Sequence, residues 1–286
     1  MTARKLESVI PGVATSDGAG VRLRRSLGSR RDLRCDPFLM LDEFSSDNPD
    51  DYIAGFPPHP HRGFETVTYM LDGHMRHEDS VGNRGDLGPG DVQWMTAARG
   101  IVHSEMPRQE AGRMRGFQLW VNLPAAEKMK PPAWRDIRAA EIPVVMLAGG
   151  GEARVIAGVF EQPDVHQAGP ILGLSTEPRY FDLRLPAGTA LRLPTPTGHN
   201  AFLYVYEGEA AVGEDGDVRP LPPHAAGLLT PGDHVDIRAG KAGAALLFLA
   251  GRPIGEPIAQ YGPFVMNTRQ ELDQARADYE SGRLGS

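Results

Sequence analysis

The chain has 286 residues, 41% hydrophobic and 23% charged, a globular composition long enough for one large domain or two ordinary ones. A net charge of −7 argues against sequence-independent phosphate binding, so nucleic acid is not an expected partner. The single cysteine, Cys35, rules out an internal disulfide. No signal-peptide-like run opens the chain, and the longest apolar run, 242–250, is too short to span a bilayer, so a cytoplasmic location without membrane attachment is expected.

Thirty-four Gly and 25 Pro favour short strands over long helices. Residues 21–34 hold six arginines (Arg22, Arg24, Arg25, Arg30, Arg31, Arg34), but no aromatic residue is interleaved to stack on bases and Asp32 dilutes the charge. A solvated strand and turn is the preferred reading. Phe38 to Phe44 reads as a buried strand leading into a loop, 45–54, over a barrel mouth. His59-Pro60-His61 opens the next strand, and Pro60, with no N–H for a ladder, places it at a sheet edge or strand start. Glu65 to Leu71 continues as a strand to a hairpin signal, Asp72-Gly73. Arg76 to Ser80, Val92 to Met95, Ile101 to Glu105 and Phe117 to Leu123 follow as short strands between turns, the grammar of a jelly-roll sandwich or barrel.

Prolines 124, 131, 132 and 143 break the pattern, which suggests domains of 1–135 and 136–286. The second half repeats the grammar: Ala201 to Tyr206 before Glu207-Gly208, then Pro231-Gly232-Asp233 matching Pro89-Gly90-Asp91. Thr268-x-x-Glu271 is a capping box and Gly282 a stop for a C-terminal helix whose Leu272, Ala275 and Tyr279 share a face.

Side chains on a strand repeat every second residue, so His59 and His61 share a face, as do His103 and Glu105. Two such strands facing each other offer three imidazoles and one carboxylate to one point, a donor set suited to iron, copper, nickel, manganese or zinc. Glu65 has the strand parity of His61, which leaves a second carboxylate open. His77 and His74 could orient the site but are expected to be exposed. One or two of Phe56, Trp94, Met95, Met106 and Trp120 are expected to line it. Aligning the halves puts Pro194, Pro196, Asn200, Ala245 and Leu247 at the ligand positions, so one metal per chain is expected, in the first half.

The pattern His59-x-His61 with Glu65 and Gly73, then Ala98-x-Gly100-x-x-His103, resembles the two cupin motifs, with Ala98 where proline is usual. The blocks 36–44, 59–69 and 93–97, the triplet His103-Ser104-Glu105 and 264–268 resemble the pirin family over essentially the whole chain. The resemblance implies an all-β fold of two tandem cupin barrels (a bicupin) with a short C-terminal helix, the second barrel lacking ligands. It implies Fe2+ held by His59, His61, His103 and Glu105, favouring Glu105 over Glu65. It also implies a quercetin 2,3-dioxygenase-like enzyme with a flavonol-like substrate, O2 and Glu105 as general base. The alternative is an iron-redox-dependent regulator that binds a transcription factor or a metabolic enzyme, with Arg22 to Arg34 as docking surface.

Overall fold

A computed structural model describes every residue except Met1, Arg31 and Asp215, so Arg31 of the arginine group lies outside the described residues. The described residues form strands and one α-helix, Arg269–Glu280, and the chain divides into two compact units.

One unit comprises Met1–Val13, Ser26–Pro37 and Ala140–Pro253. Seven strands of its ten-stranded sheet run in the order Val144–Met146, Glu152–Ala157, Arg179–Leu185, His234–Gly251, Asn200–Val212, Ala225–Leu229, Leu6–Pro11, and Ala3–Arg4, Ala190–Pro194 and Arg219–Leu221 pair off this path. The apolar run at 244–250 is buried throughout, because its strand is covered on both faces; alternation is then lost. Phe181, Leu183, Leu203, Leu246 and Phe248 form part of the core there. The N-terminal segment joins this sheet because Arg4, fully buried, donates to the carbonyls of Pro196 (2.7 Å), His199 (2.8 Å) and Thr230 (3.1 Å).

The other unit comprises Ala14–Arg25, Phe38–Ala139 and Ile254–Ser286. Its seven-stranded sheet runs Ala133–Ile137, Val92–Thr96, Phe64–Asp72, Met114–Asn122, Phe38–Ser46, Val21–Arg25, Val13–Asp17. Its four-stranded sheet runs Phe56–His61, Ile101–Pro107, Met75–Asp79, Arg84–Leu87. The sequence suggests a single cut after residue 135; the strand Ala133–Ile137 pairs with Val92–Thr96, and the units part after Ala139. Each unit also takes a terminal segment from the far end of the chain, which no local signal announces. The arginines divide as well: Arg25 grips the buried Asp42 at 2.8 and 2.7 Å, Arg22 lies 3.1 Å from Asp51, and Arg30 pairs with Asp32.

Gly63 is the joint between the two sheets of this unit. Its φ of +90° and the 1.9 Å that would separate a Cβ from the Val265 carbonyl both require glycine. Lys128 fixes the same joint: its buried ammonium donates to Gly63 O (2.6 Å), Asn122 Oδ1 (2.6 Å) and Val265 O (3.0 Å), and burial lowers its pKa to about 8. Lys128→Met leaves three buried acceptors without a charged donor and is expected to cost about 2–4 kcal/mol of stability in urea denaturation. Arg62, the residue before Gly63, ties the C-terminal helix to the turn at Arg99, donating to Arg99 O (2.6 Å) and Asp278 Oδ2 (2.8 Å). The expected capping box is present, with Thr268 Oγ1 accepting from Glu271 N and Glu271 Oε2 accepting from Thr268 N. Ala275 is fully buried on the expected apolar face, Leu272 half-buried, and Tyr279 remains exposed with its ring 6.2 Å from Phe264. Among the described residues no helix is long and apolar enough to cross a membrane.

Candidate metal centre

Pro60 falls on the edge strand of the four-stranded sheet, as its missing N–H requires. The edge strand Phe56–His61 runs antiparallel to Ile101–Pro107, with His59 opposite His103 and His61 opposite Ile101. On the second strand Ile101, His103 and Glu105 are buried and the residues between them are half-buried, so the period of two aims His103 and Glu105 inward. The ring centroids of His59, His61 and His103 are 4.7, 4.4 and 4.8 Å apart, and one nitrogen from each lies within 4.8 Å of the others.

The hydrogen bonds prepare these rings for a cation. Pro57 O lies 2.8 Å from His59 Nδ1; a carbonyl only accepts, so Nδ1 carries the proton and Nε2 keeps its lone pair. His61 Nδ1 and His103 Nε2 are buried with no hydrogen-bond partner among the described residues. Orphaned buried nitrogens are costly unless something answers them, and a divalent metal answers imidazole lone pairs well. Burial, reinforced by the neighbouring imidazoles, holds the pKa of both His61 and His103 well below the ordinary histidine value, so both are neutral at pH 7.

The unfolded chain takes up protons at these two sites near pH 6.5 while the folded chain does not, so their contribution is present above that pH and is lost as pH falls below it. Urea midpoints of the metal-free protein are expected to drop from pH 7.5 to 5.5, and the slope should flatten when His61 and His103 are both replaced by asparagine.

Glu105 is buried two residues along the strand, where the register with the edge strand shifts, and it is not among the groups whose ligand atoms lie within 4.8 Å of one another. Its Oε1 accepts from Thr68 Oγ1 (2.8 Å) and its Oε2 from Gln118 Nε2 (2.9 Å), donors that face each other across paired strands. Both oxygens retain a lone pair. Glu65 is placed differently. The turn at Gly63 carries it onto the seven-stranded sheet, where Thr96 Oγ1 donates to its Oε1 at 2.6 Å, so the parity shared with His61 does not survive the change of sheet. Burial raises the Glu65 pKa.

The expected exposure of His77 is not what the structure shows. His77 is buried with Nδ1 3.2 Å from His103 Nδ1, because its inward parity on Met75–Asp79 matches that of His103 on the adjoining strand; His74 is exposed. Of the expected lining residues, Trp120 lies 5.4 Å from the His61 ring and Phe56 6.5 Å from the His59 ring. Trp94 and Met95 are core, Met95 packing with Ala97 and Ile101. Phe64, 5.1 Å from His61, was not singled out by the sequence; the aromatic just past the turn glycine was the available signal.

Comparison with known proteins decides the family. The pirin family model matches residues 20–121, and the model of the pirin C-terminal cupin domain matches residues 180–285. The chain belongs to the pirin family. A Pseudomonas aeruginosa protein bearing the provisional name quercetin 2,3-dioxygenase is 55% identical over 273 residues, 96% of this chain and 95% of the relative. Pirin from Homo sapiens is 40% identical over 278 residues, 94% of this chain and 90% of that one. The crystal structure of quercetin 2,3-dioxygenase from Acinetobacter baumannii superposes with a TM-score of 0.88 at 33% identity, covering 100% of this chain and 99% of that one. The architecture is the pirin bicupin, two cupin domains and a short C-terminal helix. In this pirin's other unit, Asn200 is exposed on the surface while Ala245 and Leu247 are buried in the sheet core. Glu214, His234 and Asp236 of that unit also bring ligand atoms within 4.8 Å of one another. The Arg192 guanidinium already sits against both carboxylates, 3.2 Å from Glu214 Oε1 and 2.7 Å from Asp236 Oδ2, so that cluster holds a cation of its own.

Proposed function

We propose that this pirin is a non-haem metal dioxygenase of the quercetin 2,3-dioxygenase type, acting on a flavonol or a similar enol. One divalent metal, Fe2+, would be held by His59, His61, His103 and Glu105. The observation that carries the reading is the convergence of three imidazoles to within 4.8 Å, two of them with orphaned buried nitrogens, and a buried carboxylate on the same strand as His103. Similarity to the Pseudomonas and Acinetobacter proteins supports the reaction class. The bound metal would supply Lewis acidity and a common template for substrate and dioxygen.

The chain's own residues do the rest. Glu105 takes the proton of the substrate's enolic hydroxyl as general base, and Thr68 and Gln118 hold its carboxylate for that transfer. Phe56, Phe64 and Trp120 give the imidazole cluster apolar neighbours that limit water. A flavonol and one O2 yield a depside and carbon monoxide, so the oxidant is the co-substrate itself. Anaerobic purification with iron, then oxygen uptake and carbon monoxide release over a panel of flavonols, tests the proposal; iron-replete protein that consumes no oxygen with any enol on the panel would refute it.

A second reading, iron-redox-dependent binding of a transcription factor or metabolic enzyme, draws on Arg22 and Arg24, which stand exposed on one face of their strand. Pull-downs under ferrous and ferric conditions separate the two, since equal recovery in both states argues against a redox switch.

A further inference from the structure

We infer that His77, which lies outside the proposed ligand set, is a positioning residue: it accepts a hydrogen bond from His103 and thereby fixes the tautomer that offers the His103 Nε2 lone pair to the metal. The inference rests on the metal reading above and adds the element that makes one of its ligands competent.

The two Nδ1 atoms are 3.2 Å apart and buried, so one must donate and the other accept. That distance alone does not say which. Asp79 decides the direction. Its carboxylate is anchored in the turn beyond the strand, Oδ1 accepting from Val81 N (3.1 Å) and Asn83 N (2.9 Å) and Oδ2 from Asn83 Nδ2 (2.8 Å). His77 Nε2 lies 3.5 Å from Asp79 Oδ2, a charge contact too long and misaligned to count as a hydrogen bond. A carboxylate in that place favours a proton on His77 Nε2, which leaves His77 Nδ1 as the acceptor and His103 Nδ1 as the donor. His103 Nε2 is then the atom with the free lone pair, and it is one of the buried nitrogens without a partner. The opposite arrangement would set a lone pair of His77 against the carboxylate and an N–H of His103 at the metal position. The first is repulsive, and the second leaves His103 with no lone pair to offer a metal.

Packing keeps the His77 ring where this requires. It lies almost parallel to Trp134, with centroids 5.9 Å apart and planes 22° from parallel. The register places Glu105 opposite His77 and His103 opposite Asp79, so two adjacent antiparallel strands carry the chain Asp79–His77–His103 on one buried face. Sequence-level parity places His77 on a face but not next to His103, because that adjacency depends on the strand register.

The test reads the tautomer directly, without metal. Long-range 1H–15N spectra of histidine-labelled, metal-free protein at about pH 8, where imidazoles are neutral, are expected to show His103 protonated at Nδ1. His77→Asn puts an amide oxygen where Nδ1 was and should preserve that state, whereas His77→Leu should lose it. In parallel, Co2+ titration should show affinity weakened about 10–100-fold in His77→Leu, with most of it recovered in His77→Asn; thermal melts confirm that each variant is folded. His103 protonated at Nε2 in the wild type would overturn the inference, as would a folded His77→Leu with unchanged tautomer and unchanged Co2+ affinity. Wild-type protein that binds no Co2+ would overturn the metal reading instead, while the metal-free spectrum still decides the hydrogen bond.

Discussion

His103→Ala is expected to abolish stoichiometric metal binding and, with it, oxygen consumption. The His103 ring lies 4.4 Å from that of His59 and 4.8 Å from that of His61, and its Nδ1 is hydrogen-bonded to His77. Removing a residue that merely orients a ligand costs about 10–100-fold in metal affinity, so removing the ligand should cost more than about 100-fold. The remaining His59 and His61 would hold a divalent ion only weakly and transiently. Truncation removes one orphaned buried nitrogen but leaves His77 Nδ1 without its partner and a cavity behind, so some loss of stability is expected beside the loss of metal. Metal analysis after dialysis, with circular dichroism as the check on folding, tests this. A folded His103→Ala protein that retains one metal per chain would show that the cation sits elsewhere.

Glu105→Gln is expected to lower turnover by about 10²–10⁴-fold while the protein stays folded and metal-bound. Glutamine keeps the shape of the side chain and can be accommodated by the existing partners. Its oxygen can face the Gln118 amide, and its NH2 can donate to the Thr68 hydroxyl, which rotates to accept. What is lost is the negative charge and the basic oxygen that takes the substrate proton. The three imidazoles should keep the metal with modestly reduced affinity. Oxygen uptake at matched metal content is the measurement, and undiminished turnover would remove Glu105 from the proton-transfer step. The same measurement on Glu65→Gln is the control, since Glu65 is bound to Thr96 on the other sheet and should affect stability more than rate.

The two predictions depend on features that differed in how readily the sequence revealed them. The pairs His59/His61 and His103/Glu105 were readable because a strand has a fixed period of two and Pro60 marked an edge. The capping box at Thr268 and Glu271 was equally local, and it formed as expected. For Glu65 parity could not show that Gly63 ends one sheet and begins another between it and His61. It also fell short for His77, whose partner is on a neighbouring strand.

What the amino-acid order determined by itself was the inventory: short strands, the turn glycines, which side chains share a face, and a donor set suited to a transition metal. Only the tertiary structure decided the register that sets His59 opposite His103, the hydrogen bonds that hold Glu105, and the assignment of each chain terminus to a unit distant in sequence. The physical reason is range. Backbone geometry and capping act over a few residues, whereas pairing between strands is fixed by burial and hydrogen bonds between segments that may lie more than a hundred residues apart, as Lys128 and Val265 do.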